Sequence, residues 1–292
     1  MKKVFLKLCF VILCLLAVVS CEKEKTKKEL TMGLVPVSNA EKLIEDVDPL
    51  YKLLSQKTDK EVKGFIATNY IGVVEALGSG SVDFALIPPF AYLLANKKHG
   101  SEALLTSINK DGAPGYYSII LARSDKNINT VEDLKGKKIA FVDPSSTSGY
   151  IFPAVILNDH NIDLEKDIQY QFAGGHDKAL QLLLNGDVDA IGTYESIFRK
   201  FSKEFPDMNT KTKVLEKSDL IPGVTLTVSS KLDNDTKEKI KKAFLEVTTE
   251  KESENLLYDL FGIKGFQEAD INNYKTVETK LERMGIDLEK IK

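Results

Sequence analysis

From Leu30 onward, short apolar runs alternate with longer segments in which apolar residues recur at helical spacing. Runs of the first kind read as buried strands, and segments of the second kind as helices with one face on a core. Leu30–Val37 (LTMGLVPV) predicts a strand and Asn39–Gln56 a helix with an acidic opening turn. Val62–Thr68 is a strand, Tyr70–Gly78 a short helix stopped by glycine, Val82–Pro88 a strand and Phe90–Lys98 a helix. The rhythm then repeats. Tyr116–Arg123, Lys138–Val142, Ile168–Phe172 and Val188–Thr193 read as strands. Between and after them, a short helix opens at Thr130 and ends at Gly136, and further helices fall at Ser148–Asn158, His176–Leu184 and Tyr194–Phe201. Val224–Ser229 is read as the last strand, and from Asp233 the chain is almost wholly helical. Such alternation predicts an α/β fold with helices on the sheet faces. The strands fall into two comparable sets, and the extended stretches Tyr116–Arg123 and Val224–Ser229 flank the second. Two lobes joined by two crossover linkers, with a ligand cleft between them, account for that order and permit hinge closure. The expected division is residues 30–119 with 225–292 as lobe 1, and 120–224 as lobe 2.

Ahead of Leu30 the pattern changes. A basic start (Met1-Lys2-Lys3) precedes a mostly apolar run from Val4 to Val19, interrupted by Lys7. Its length suits a secretory signal better than a spanning helix. Val18-Val19-Ser20-Cys21 resembles a bacterial lipobox, in which a small residue precedes the cysteine that takes the lipid. A plain signal peptide or an uncleaved anchor is the rival reading. Residues 1–20 are therefore expected to be removed and Cys21 acylated. Residues 21–29, polar from Glu22 to Glu29 (EKEKTKKE), would be a flexible tether, so that the protein sits on the outer face of a membrane without crossing it. Cys9 and Cys14 leave with the signal, so the mature chain has neither a free thiol nor a disulfide.

Composition narrows the class. The 292 residues are 43% apolar and 28% charged, which suits a globular protein of one or two domains and excludes a largely disordered chain. The net charge is -3 with basic and acidic residues intermixed, so nothing suggests a nucleic-acid surface. Loss of Lys2, Lys3 and Lys7 takes the 40 basic residues to 37 against 43 acidic ones, a net charge of -6. With three histidines, and three cysteines all within the first 21 positions, no dedicated metal site and no cofactor are expected.

The segment richest in chemistry is Asp143-Pro144-Ser145-Ser146-Thr147-Ser148-Gly149-Tyr150, between a predicted strand and a predicted helix. One hydroxyl suffices to cap a helix. Four in succession are surplus, and with free backbone N–H groups they can hold an anion without a lysine or arginine. Gly174-Gly175-His176-Asp177 is a second loop entering a helix. There His176 either donates to an oxyanion or is an ordinary surface residue beside a capping aspartate. Glu195 ends a predicted strand, where ligand contacts gather in open α/β sheets. Tyr70 and the Pro88–Tyr92 segment stand at helix starts in the first set. Tyr70 can reach the cleft, whereas core packing is the better account of Phe90 and Tyr92. Strand alternation sends one of Tyr116 and Tyr117 toward the cleft and leaves open which.

Taken in order, TNYIGVVEALGSGSVDFALIPPFAYLLA, GYYSIILARSD, TVEDLKGKKIAFVDPSSTSGYIFP, GGHDKALQLLLNGDVDAIGTYES and IPGVTLTVSSKL resemble the phosphonate/phosphite/phosphate-binding lipoproteins of ABC importers, from about Leu30 to about Gly265. The resemblance implies a two-lobe periplasmic-binding-protein-like fold of type II, acting as a monomer that hands a small phosphorus oxyanion to an ABC permease. It implies phosphonate-oxygen contacts at Ser146, Thr147 and Ser148, with His176, Tyr70 and Tyr116 also in the site, and an acid for a substrate amine near Glu195. One departure stands out. Aminoalkylphosphonate binders of the family tend to carry an acid just after the Ile-Pro of the returning linker, and Ile221-Pro222-Gly223-Val224 has none. Methylphosphonate, phosphite or phosphate fit that departure better. No base pairs with the serine run to make a nucleophile, and neither GxxxxGK[ST] nor GxGxxG is present, so an enzyme is not expected. The rivals are a binder of the same fold for another small molecule, such as a vitamin precursor, and the input domain of a sensor.

Overall fold

A computed structural model of the chain describes residues 29–36, 40–109, 111–251, 253, 255–286 and 288. The expected signal, the lipid-bearing Cys21 and nearly all of the tether lie outside the described residues. In chain order the elements begin β1 (Glu29–Leu34), α1 (Ala40–Thr58), β2 (Glu61–Ile66), α2 (Tyr70–Ser79), β3 (Phe84–Ile87), α3 (Pro89–His99) and β4 (Glu102–Ile108). They continue as β5 (Gly115–Tyr116), β6 (Ser118–Arg123), β7 (Lys138–Phe141), α4 (Phe152–Asp159), β8 (Gln169–Phe172), α5 (His176–Asn185), β9 (Ala190–Tyr194), α6 (Ile197–Phe201) and α7 (Met208–Lys211). The chain then runs through β10 (Thr212–Lys217), β11 (Ile221–Pro222), β12 (Thr225–Val228), α8 (Asn234–Val247), α9 (Leu256–Phe261), β13 (Gly265–Glu268) and α10 (Lys275–Arg283). None of the described helices is long and apolar enough to cross a membrane.

The strands form two separate sheets. One has the order β13-β4-β12-β3-β1-β2 and the other β10-β6-β9-β7-β8. In each, a parallel half (β3-β1-β2; β9-β7-β8) is extended by antiparallel strands. The central strands are buried on both faces, as FALI and KIAF show, so they read as unbroken apolar runs. Between the sheets the chain crosses twice, and the crossings pair with each other: Ile221 with Tyr116 and Pro222 with Gly115, antiparallel. A Cβ on Gly115 would lie 2.1 Å from the Ile221 carbonyl oxygen, and one on Gly223 would lie 2.1 Å from that of Ser107. The linker ribbon therefore requires glycine at both positions.

The linkers differ from expectation. Most of Tyr116–Arg123 is β6, paired inside the second sheet, and Thr225–Val228 is β12, paired inside the first. The crossings themselves are the two-residue strands β5 and β11, too short to carry a periodic signal. β13 follows the strand expected to be last, and β4 and β10 were also unforeseen. β10 and β13 are sheet edges with mixed burial, so neither alternates cleanly.

Three apolar clusters divide the interior. Leu30, Met32 and Leu34 of β1 pack with Leu50 and Leu54 of α1 and Phe244 of α8. Ile120, Ile139 and Phe141 form the core behind the second sheet with Ile156 and Leu157 of α4. The third cluster runs across both lobes, joining Tyr70 and Val73 of α2 and Phe90 and Leu94 of α3 to Ile151, Phe152 and Leu180. This shared cluster brings the N-termini of α2 and α3 against the loop that follows β7.

Candidate functional site

The loop after β7 leads into a turn of π-helix over Thr147–Ile151, which continues directly as α4. Ser146 caps it, its Oγ accepting from Gly149 N at 3.1 Å. As the first residues of the turn, Thr147 and Ser148 have no intrahelical acceptor for their N–H groups. Asp143 holds the loop open, accepting from Ser145 N (2.7 Å) through Oδ1 and from Tyr70 N (3.2 Å), at the head of α2, through Oδ2. Asn69 caps the same helix by accepting from Gly72 N. Pro88 stands at the corresponding position of α3 and has no capping side chain. There Thr147 Oγ1 reaches across from the other lobe and accepts from Phe90 N at 3.0 Å.

A cavity of about 180 Å³ lies between the lobes. Tyr70, Tyr116, Ser146, Ser148 and His176 all line it, so five of the seven expected contact residues share one wall-to-wall space. The Tyr70 hydroxyl faces the Ser146 side chain, and the Tyr116 hydroxyl faces those of Ser148 and Thr147. Of the adjacent tyrosines it is therefore Tyr116 that enters, while Tyr117 lies under Lys217 Nζ, 3.6 Å from the ring centroid. Thr147 is fully buried and off the cavity wall, its hydroxyl turned to α3 and Tyr116. Glu195 is not brought in. Its carboxylate faces solvent and pairs with Lys217 at 2.8 Å. Tyr194 takes the cavity side instead, and strand alternation turns its successor away.

The tyrosine and histidine donors on the wall are neutral. Burial pushes the hydroxyls of Tyr70, Tyr116 and Tyr194 well above the ordinary phenol value, with Asp143 adding to the effect at Tyr70. All three keep their protons and can donate. His176 is 4% exposed, and burial lowers its pKa to about 3, so the ring is neutral at pH 7. Its Nδ1 lies 2.9 Å from Thr193 Oγ1, and the Tyr194 ring meets it edge-on at 4.6 Å. If the threonine hydroxyl donates to Nδ1, the Nε2 proton remains for a ligand.

Sequence reasoning missed Tyr194, Ser196, Arg199 and Lys200, which line the cavity from the end of β9 into α6. Their signal was positional, at the carboxyl end of a strand. It also missed an apolar wall made by Leu34, Val35, Val224, Leu260, Phe261 and Ile263. Leu260 and Phe261 return from α9 after a long excursion, which no local pattern announces. No described residue on the wall is acidic. Among the described residues no group of three or more His, Cys, Asp or Glu is placed to hold a metal ion.

Two sheets, a paired double crossing and a cavity between them define a two-lobe substrate-binding protein of the type II periplasmic class, and solved structures agree. A binding component of an ABC phosphonate transporter from Pseudomonas aeruginosa superposes with a TM-score of 0.81 at 26% identity, covering 87% of this chain and 85% of that one. PhnD1 of Prochlorococcus marinus in complex with methylphosphonate superposes at 0.79 with 20% identity, over 89% of this chain and 99% of that one. The chain belongs to the family of ABC-transporter periplasmic substrate-binding proteins for phosphonate, whose model matches residues 32–274. A relative, the phosphate-import protein PhnD of Mycolicibacterium smegmatis, is 34% identical over 262 residues, 86% of this chain and 79% of that protein. The family is one of transport proteins, not of enzymes.

Proposed function

We propose that this chain is the lipid-anchored solute receptor of an ABC importer, binding a phosphonate, phosphite or phosphate anion between lobes 30–119/225–292 and 120–224 and releasing it to the permease. The observation that carries the reading is the convergence of uncharged donors on one cavity: the hydroxyls of Ser146, Ser148, Tyr70 and Tyr116 and the imidazole of His176. A tetrahedral oxyanion offers three or four acceptor oxygens, and hydrogen bonds to a charged acceptor are the strong ones. In this reading Thr147 contributes by fixing α3 and Tyr116 rather than by touching the ligand, and Glu195 has no part. The lack of an acid at Gly223-Val224 and along the wall favours ligands without an amine.

Calorimetry with phosphate, phosphite, methylphosphonate and 2-aminoethylphosphonate tests this. At least one of the first three should bind more tightly than the amine. Ser146→Ala and Ser148→Ala should each weaken it by about 1–3 kcal/mol, the range for a donor lost to an anion. Silence from all four ligands, or indifference to both substitutions, refutes the site. For the anchor, Cys21→Ser should move the protein from the membrane to the soluble fraction, and retention on the membrane would refute acylation there.

A further inference from the structure

The chain contains three arginines. Arg123 is paired with Asp125 and Arg283 with Asp159. Arg199 is the exception: among the described residues no carboxylate lies within ion-pair distance of it. It sits in the short helix α6, lines the interlobe cavity, and is stacked on the Tyr258 ring at 4.7 Å. Stacking uses the face of a guanidinium and fixes its plane, and leaves the N–H groups along its edges to donate. Lys200, also on the wall, donates from Nζ to the Leu260 carbonyl at 2.9 Å. Neither Asp143 nor Asp177 lines the cavity. Asp143 is committed to Tyr70 N and Ser145 N, and Asp177 accepts from Lys178 N.

The size of the cavity bears on the same point. A cavity of about 180 Å³ has room for on the order of a dozen water positions, which exceeds what one tetrahedral head fills. The wall also includes Leu260, Phe261 and Ile263, with the Arg199 guanidinium against the neighbouring Gly262. A wholly apolar substituent would bury the guanidinium edge without an acceptor, which is costly. An amine would meet like charge.

Resting on the phosphonate reading above, we propose that the cleft takes a phosphonate whose carbon substituent ends in a carboxylate, and that Arg199 is the residue that reads it. A guanidinium fork and a carboxylate match in shape and charge. Serine, tyrosine and histidine donors would hold the phosphorus end, and Arg199 the distal end.

Calorimetry with 3-phosphonopropionate, propylphosphonate, 3-aminopropylphosphonate and methylphosphonate tests the proposal on the wild-type protein and on Arg199→Gln, with thermal unfolding as the check on folding. The wild type should bind phosphonopropionate about tenfold to a hundredfold more tightly than propylphosphonate, the range of a charge-assisted hydrogen bond. The aminopropyl compound should be the weakest of the three-carbon ligands. In Arg199→Gln the preference for the carboxylate should fall to near unity. If wild type binds methylphosphonate but ranks propylphosphonate level with or above phosphonopropionate, the proposal fails and the phosphonate reading stands. If Arg199→Gln weakens every ligand alike and keeps the preference, Arg199 serves only to hold the lobes together, and the proposal again fails. If no phosphonate binds at all, the reading beneath it fails too.

Discussion

His176 gives the sharpest test of the site's electrostatics, because it can be read without any ligand. The ring is buried with Thr193 and Tyr194 as neighbours, and its pKa is lowered to about 3. In the unfolded chain it returns to roughly 6.5. Below that value the unfolded state binds a proton that the folded state refuses, so folding weakens as pH falls. Above it the two states are alike, and the group costs nothing at pH 7. Each pH unit between the two values is worth about 1.4 kcal/mol. At pH 5 the penalty is about 2 kcal/mol, and it approaches about 5 kcal/mol near pH 3.

Urea unfolding at pH 7 and pH 5, on wild type and His176→Asn, isolates this contribution. The wild type should lose about 2 kcal/mol more than the variant over the interval. An oxyanion at Nε2 would favour the charged ring, so saturating methylphosphonate should shrink the loss. Equal losses in the two proteins would show that His176 is protonated or exposed in the folded state. The account of His176 as a neutral donor in the cleft would then be wrong.

Other consequences follow from single contacts. Gly115→Ala places a methyl group 2.1 Å from the Ile221 carbonyl oxygen; it should lower stability by about 1–3 kcal/mol and weaken ligand binding, and a wild-type unfolding midpoint would refute the close crossing. Thr147→Val keeps the shape but removes the acceptor of Phe90 N, so it should cost about 1–3 kcal/mol in urea unfolding, and a neutral result would mean that α3 is capped otherwise. His160 lies between Glu132 (2.6 Å) and Glu216 (2.7 Å), and the hydrogen bond to Glu132 raises its pKa. Its stabilisation is complete below about pH 6.5 and is lost as pH rises through the raised value, so His160→Gln should destabilise at pH 6 more than at pH 9; the same loss at both would deny the charge.

Several features were legible because local physics decided them. The inner strands are covered on both faces, so FALI and KIAF announce themselves as apolar runs. Four adjacent hydroxyls exceed what a cap needs, and two of them do line the cavity. What was not legible depended on partners distant in sequence. The hydroxyl of Thr147 is claimed by Phe90, 57 residues away, and no spacing could say so. Glu195 looked well placed at a strand end, but period-two alternation gives the cavity to Tyr194, and Lys217 from β10 offers the carboxylate an outward partner. β10 itself, an edge strand of sequence TKVLEK, has no sided pattern to read.

The placement of Thr147 also bears on how such a protein lets go of its cargo. α2 and α3 each present a first-turn N–H to the other lobe, Tyr70 to Asp143 and Phe90 to Thr147. α3 has no side-chain cap of its own, so its acceptor exists only while the lobes are together. When they part, water can take the place of either acceptor, and the net worth of an intramolecular hydrogen bond over a bond to water is only about 1 kcal/mol. Two such bonds therefore bias the chain toward the closed arrangement without locking it. The ion pairs Lys280–Asp219 and Arg283–Asp159 also join the two lobes, but each has an exposed carboxylate, and exposed pairs of this kind contribute only about 0–1 kcal/mol.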